Sequence, residues 1–352
     1  MKNQLFTICR KGDCFMKRLV AYLMCICSLF MSSITVFAQG ESSVSITNNE
    51  IADKAATLLT SIQGESTYYG MENVDFSKLY LGQEIPVYKF SENGYERTEV
   101  KAFPVLEDTK CVSIVYCSID ANNNELILGI GGNLAEKFEN VNLEKGVALI
   151  VKNGNVQVYQ ENATLASYDG NGIVQVSNVL NEKCYLQIGP LTRASKNLNV
   201  PLVSQGSPSL KCWAACMRSI GLYYGVDRTI DQIYEAAGIP KYEGNGDLNQ
   251  ISRQFNSQFG RTTSHYYVSF ANLKKEIDQG HPVFASNKSP AGVKHATVLR
   301  GYIDGSVQSI SYMNPSYPTT YWTVQIRSDG KFPVVEQDFT EWGIMHDSIV
   351  VK

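Results

Sequence analysis

Between residues 84 and 188, short apolar runs of strand length alternate with turn signals, and that rhythm restricts this stretch to a sheet-dominated fold. The runs are Glu84–Phe90, Cys111–Ile119, Glu125–Gly129, Val147–Val151, Val156–Tyr159 and Tyr185–Ile188. The breaks are Asn93-Gly94, Asn122-Asn123-Asn124, Asn153-Gly154 and Asp169-Gly170, and such pairs mark turns because Asn and Gly tolerate left-handed backbone. A helical pattern precedes them. Ile51, Ala55, Leu58, Leu59 and Ile62 recur at helical spacing, with Asn48 or Asn49 as cap and Gly64 as terminator. One helix and many strands predict an α+β module on an antiparallel sheet. Gly131-Gly132 reads as a further turn.

The 352 residues are enough for two domains. With 44% hydrophobic and 18% charged residues the chain is neither disordered nor fibrous. A net charge of −3 supplies no basic stripe for nucleic acid.

The first 38 residues are expected to leave. Lys17 and Arg18 precede an apolar run from Leu19 to Val36, and Val36-Phe37-Ala38 forms a small-residue cleavage pattern before Gln39. The run is also long enough to serve as an anchor. Met24 before Cys25 does not suit a lipid-modified cysteine. No later stretch is apolar enough to span a bilayer, so a cleaved signal implies a secreted, periplasmic or extracellular chain without stable membrane association. Five cysteines then remain: Cys111, Cys117, Cys184, Cys212 and Cys216. An odd number leaves at least one thiol unpaired.

The rest divides near residue 195. Residues 39–194 hold 11 Lys+Arg and 20 Asp+Glu, a charge of −9; residues 195–352 hold 15 and 13, a charge of +2. All four histidines and all three tryptophans lie in the second half, so acid–base chemistry is expected there. The segment Gly189–Asn197, short, polar and carrying two basic residues, reads as an exposed linker open to cutting.

In the second half, a loop with Gly206 and Pro208 leads into Cys212-Trp213-Ala214-Ala215-Cys216. Cys216, Ile220 and Tyr223 follow Cys212 on one helical stripe, Gly225 ends the helix, and Ser209 is the expected N-cap. Cys212 then sits in the first turn, where free backbone N–H groups and the helix dipole favour a thiolate. The plainer use of a lone cysteine is a small buried apolar residue, and Cys216 is given that role. A metal site from the two has no second ligand pair.

A thiol nucleophile needs a base, and the base needs an orienting acceptor. His295 stands where a glycine-containing loop enters the strand Ala296–Tyr302. The strand Val307–Met313 follows after Asp304-Gly305 and ends in Asn314-Pro315. A hairpin between these strands brings Asn314 beside His295. Asn before Pro is also an ordinary turn residue. His265, His281 and His346 are read as structural or exposed, and Trp322 as core.

These residues together resemble the compact papain-like cysteine peptidases, particularly the avirulence-protein and bacteriocin-processing-like branches and more distantly staphopain. The order Cys, His, Asn, the pair Cys212-Trp213, the lead-in Val200-Pro201-Leu202-Val203-Ser204-Gln205 and the segment Leu273–Val283 carry the resemblance. It spans about Val200 to Pro315 and implies a helical subdomain packed on an antiparallel sheet. It further implies Cys212 as nucleophile, His295 as general base and acid, Asn314 as orienter, and Gln205 in the oxyanion hole beside the Cys212 N–H. Gln205 stands seven positions before Cys212, where six is usual, so the loop is expected to bulge around Pro208.

The resemblance gives residues 39–194 the role of a propeptide or inhibitory domain, and residues 195–352 that of the peptidase. The opposite charges favour docking of the first half over the cleft, with cleavage between Leu191 and Val200 releasing activity on a protein or peptide substrate. Two other readings share the residues: a transglutaminase-like acyl-transfer enzyme, and an inactive binding or adhesion protein on a peptidase fold. Nothing in the sequence calls for a metal or organic cofactor.

Overall fold

The computed structural model describes residues 48–352, apart from 92–93, 121–124, 132–133, 153–154, 161–176, 181–182, 189–193, 207–208, 241–246, 267–268, 318–319 and 336–340. The expected signal at residues 1–38 and the turns at 122–124, 153–154 and 169–170 lie outside the described residues.

The architecture is a mixed α+β fold with one large sheet and, among the described residues, five α-helices. In the first half α1 is Asn48–Ile62, and the strands are β1 Tyr80–Leu81, β2 Ile85–Ser91, β3 Gly94–Glu107, β4 Lys110–Asp120, β5 Glu125–Ile130, β6 Gly146–Lys152, β7 Asn155–Gln160, β8 Ser177–Asn178 and β9 Cys184–Tyr185. The second half adds β10 Ala194–Asn197, α2 Cys212–Tyr223, α3 Ile230–Ala237, α4 Leu248–Phe259, β11 Thr263–Tyr266 and α5 Phe270–Asp278. It ends with β12 Val283–Lys288, β13 Lys294–Asp304, β14 Ser309–Met313, β15 Tyr321–Gln325, β16 Pro333–Val335 and β17 Glu341–Val351.

The strands run β11-β17-β12-β13-β14-β15 across the second half and continue as β5-β4-β3-β2-β6-β7 across the first. Only β2 and β6 are parallel among the described pairs. The join is β15 against β5, with Thr323 opposite Ile130 and Val324 opposite Gly129. Glycine is required at 129, since a Cβ there would occupy the place of the Tyr116 hydroxyl. At 131, with φ +155°, a Cβ would press on the Trp322 ring. Trp322 is buried, as expected of a core residue, and packs against Tyr116 of the first half and Tyr317 of the second. One apolar cluster runs through both halves, and residues 48–352 fall within a single compact unit.

Three local expectations are corrected. The first helix stops at Ile62, before Gly64, and the chain tightens into a 3-10 segment, Gln63–Tyr69, closed by Gly70 at φ +70°. Tyr185–Ile188 is not a strand beyond Tyr185. The expected linker is partly sheet: residues 189–193 lie outside the described residues, but Ala194–Asn197 is strand β10, paired with β13 from Asp304 to Gly301. Backbone pairing explains this, because the Leu198 N–H donates to the Arg300 carbonyl at 2.7 Å and Asn197 fills the space that a side chain at Gly301 would need. Val200, the far end of the expected cleavage window, is fully buried.

Among the described residues no helix is long and apolar enough to cross a membrane.

Candidate active site

Helix α2 is anchored by apolar residues. Trp213, Ala214, Ala215, Cys216, Met217 and Ile220 are buried, and the Trp213 ring stands edge-on to Tyr234 of α3 at 4.8 Å. Tyr234 in turn donates its hydroxyl proton to the Leu210 carbonyl at 3.1 Å. That bond fixes the 3-10 turn Ser209–Lys211, from which α2 starts at Cys212. Lys211, not the expected Ser209, is the N-cap, with no side-chain cap bond. The three residues before Cys212 are already wound, which moves the cap position to the end of the turn. Cys212 is the first helical residue.

The backbone N–H groups of Ala296, Trp213 and Cys212 itself lie near enough to the Cys212 sulfur to favour its thiolate. Ala296 follows His295, so the helix start and the start of β13 meet at this sulfur. Burial raises the Cys212 pKa above the ordinary thiol value, and the three N–H donors work against it. One turn on, burial first and the neighbouring Cys212 second push the Cys216 thiol well up, in keeping with a core cysteine. All five cysteines of the described chain are unbridged.

His295 Nε2 lies 2.9 Å from Asn314 Oδ1. The Ser316 backbone N–H also points at that Oδ1, at 3.0 Å. An N–H can only donate, so the atom between them must be the amide oxygen, and His295 Nε2 must carry its proton. Nδ1 is then the ring nitrogen that carries the lone pair. Burial lowers the His295 pKa, and the bond to Asn314 partly opposes this. Both directions favour an uncharged thiol and imidazole at rest, so transfer of the proton from sulfur to ring is uphill until a substrate is bound.

Asn314 serves as turn residue and ring acceptor together. Its carbonyl accepts from the Tyr317 N–H at 2.9 Å, closing Asn314-Pro315-Ser316-Tyr317. Gln205 leans on the same turn: its N–H donates to the Pro315 carbonyl at 2.9 Å, and Nε2 donates to Ser316 Oγ at 3.1 Å. Gln205 is buried, and its Oε1 has no partner. The bulge expected at Pro208 lies outside the described residues, while Gly206 turns the chain at φ +63°.

Asn287 was not singled out in the sequence. Its Nδ2 donates to the His295 carbonyl and to Thr297 Oγ1, both at 3.1 Å, from a wholly buried position opposite His295. The signal was available: a lone amide in the strand Val283-Phe284-Ala285-Ser286-Asn287 has to find partners when buried.

The other histidines stand apart. His281 Nδ1 pairs with Glu276 at 2.8 Å beside the end of α5. His265 and His346 line a polar cavity of about 350 Å³ with Asp247, Lys288 and Lys294. Among the described residues no group of three or more His, Cys, Asp or Glu could hold a metal.

Residues 197–341, less than half of the chain, match the Peptidase_C39 like family. A protein provisionally described as a C39-like peptidase from Bacillus anthracis shows 16% identity and a TM-score of 0.33, covering 45% of this chain and 98% of that one. The peptidase domain of Streptococcus ComA, a bi-functional ABC transporter involved in a quorum sensing pathway, shows 13% identity and a TM-score of 0.32, covering 44% and 98%. No curated protein matches the chain. The family match supports a cysteine peptidase of the papain-like kind.

Proposed function

We propose that this chain hydrolyses peptide bonds with Cys212 as nucleophile, His295 as base and acid, and Asn314 as orienter. The observation that carries the proposal is the pair of donors on Asn314 Oδ1, which makes His295 Nδ1 the proton acceptor, with Cys212 at the first position of a helix and its sulfur near Ala296, the residue after His295.

In the proposed reaction the Cys212 proton passes to His295 Nδ1 as sulfur attacks the carbonyl carbon. Negative charge gathers on the carbonyl oxygen, where the Cys212 N–H and the second Nε2 hydrogen of Gln205 would meet it; one such donor is typically worth about 10²–10³ in rate. His295 returns its proton to the leaving amine, and the C–N bond breaks. Water then attacks the thioester, giving its proton to His295, and the thiol is restored.

The test is peptide hydrolysis by wild type and Cys212→Ala, with capture of a thioester on Cys212 by mass. A wild type that yields new carboxylates while the variant yields none supports the proposal. Amide transfer to an added amine in place of hydrolysis would assign the same residues to a transglutaminase-like enzyme.

Export belongs to the proposal too, on the basic, apolar and small-residue pattern of residues 17–38. Its check is the N-terminal residue of the protein recovered outside the cell, expected at or near Gln39.

A further inference from the structure

The guanidinium of Arg300 is wholly buried in the middle of β13. Nε donates to the Leu198 carbonyl at 2.9 Å, Nη1 to Ser311 Oγ at 3.1 Å, and Nη2 to both carboxylate oxygens of Glu65 at 2.9 and 3.0 Å. Its flat face lies 3.8 Å from the centre of the Tyr321 ring. Two of these contacts, Leu198 and Ser311, touch segments that lead to the candidate site, as does the strand that carries Arg300 itself. Strand β13 begins beside His295. Ser311 belongs to β14, which ends at Asn314. Leu198 opens the stretch that runs through Gln205 to Cys212.

The carboxylate on this arginine comes from the other half of the chain. Glu65 sits at a kink inside the 3-10 segment, with φ −130° and ψ 22°. The residues after it repeat the pattern. Tyr68 donates to Asn199 Oδ1 at 2.9 Å, and its carbonyl accepts from Thr320 Oγ1 at 2.9 Å. Tyr69 is bonded to Thr323 Oγ1 at 2.7 Å. A buried guanidinium stripped of its carboxylate is strongly disfavoured, and β15 would lose its neighbour β5.

We propose that the first half is a permanent, activating part of the enzyme, and that Glu65 is a positioning residue acting through Arg300 on the segments that carry Cys212, His295 and Asn314. This rests on the peptidase reading above. It replaces the expectation of a removable inhibitor: a cut ahead of β10 would leave the two halves held together by the sheet and by this pair.

The experiment compares full-chain wild type, Glu65→Gln, and Glu65→Gln combined with Arg300→Met. For each, kcat and KM on a peptide, the thermal midpoint, and the pH profile of Cys212 alkylation by iodoacetamide (located by peptide mass) are measured. Glu65→Gln is expected to lower kcat about 10²-fold with a smaller change in KM, since a displacement of about 1 Å remote from the chemistry has that effect. It should also move the alkylation midpoint. The double variant removes the buried charge and is expected to recover the thermal midpoint but not kcat, which a merely structural role would restore together. Should Glu65→Gln fail to fold, the double variant against wild type carries the comparison. A kcat at or above wild type in Glu65→Gln overturns the proposal, as does a double variant that recovers both quantities. If wild type hydrolyses nothing yet the variants still shift the Cys212 profile, the positioning role stands and the peptidase reading falls.

Discussion

The two halves share a sheet but bury different chemistry. Among the described residues, the buried polar and charged side chains are Ser113 in the first half and fifteen in the second, from Gln205 to Ser348. A buried polar group is costly unless bonded, so it persists where it holds something in place. In the second half some of these groups hold the candidate site: Asn287 on the His295 carbonyl, Asn314 on its ring, and Arg300 across Leu198, Ser311 and Glu65. The first half is packed with apolar residues and contributes little polar chemistry of its own. Its contribution is a flank for β15, the carboxylate of Glu65 and the bonds that Tyr68 and Tyr69 make to the second half. A half without histidine is a poor place for acid–base catalysis, yet it is well suited to hold such a place rigid.

The largest effects should fall where the polar network meets the chemistry. Asn314→Ala removes the acceptor that selects the His295 tautomer. Hydrolysis is expected to fall by about 10²–10⁴-fold, given the near 10⁴-fold cost of a wrong tautomer in a related catalytic set. The thermal midpoint should change far less than kcat. A variant within threefold of wild type would remove Asn314 from the site.

Next comes the junction. Trp322→Ala leaves a cavity between Tyr116 and Tyr317, and about 3–5 kcal/mol of stability should be lost. Because the apolar cluster is shared, calorimetry should show one transition moving as a whole. Two transitions, of which one stays put, would break the picture of a single cooperative unit and restore two independent domains.

The sequence made much of this legible, and its failures have a common cause. Cys212, His295 and Asn314 were visible because each lies at a change of local pattern: loop to helix, loop to strand, strand to turn. The hairpin that joins β13 to β14 was equally visible from Asp304-Gly305. Strand β3 is hidden in the sequence, although Val100–Leu106 is apolar apart from Lys101, because Pro104 and a charged run before it mask the alternation. The strand at Ala194–Asn197 reads as a linker because its partner is more than a hundred residues away and three of its four side chains are polar. Glu65 was invisible for the same reason. A carboxylate in a short segment rich in Gly, Ser and Thr looks like a solvated turn until a remote arginine is placed over it.

A smaller effect is expected at Asn287. Asn287→Ala withdraws donors from the His295 carbonyl and from Thr297. Leaving those acceptors buried should cost about 1–3 kcal/mol, and kcat should drop modestly with KM nearly unchanged. An unaltered thermal midpoint would show that water takes over both bonds.

The smallest prediction concerns pH and returns to the contrast between the halves. Burial lowers the His295 pKa below its ordinary value of 6.5, with the Asn314 bond opposing. In the unfolded chain the imidazole titrates near about 6.5. Between the two values the unfolded state binds more protons, so stability rises with pH. The contribution of His295 is therefore complete above about pH 6.5 and is lost as pH falls through the lowered folded-state value, with a slope of at most about 1.4 kcal/mol per unit. His295→Ala should flatten the rise of the thermal midpoint just below about pH 6.5. If the halves unfold together, slow amide exchange in β3, β4 and β6 should follow the same pH dependence, although the first half contains no histidine. Exchange there that ignores the state of His295 would mean that the shared sheet parts at β5 and β15 before the core of either half opens.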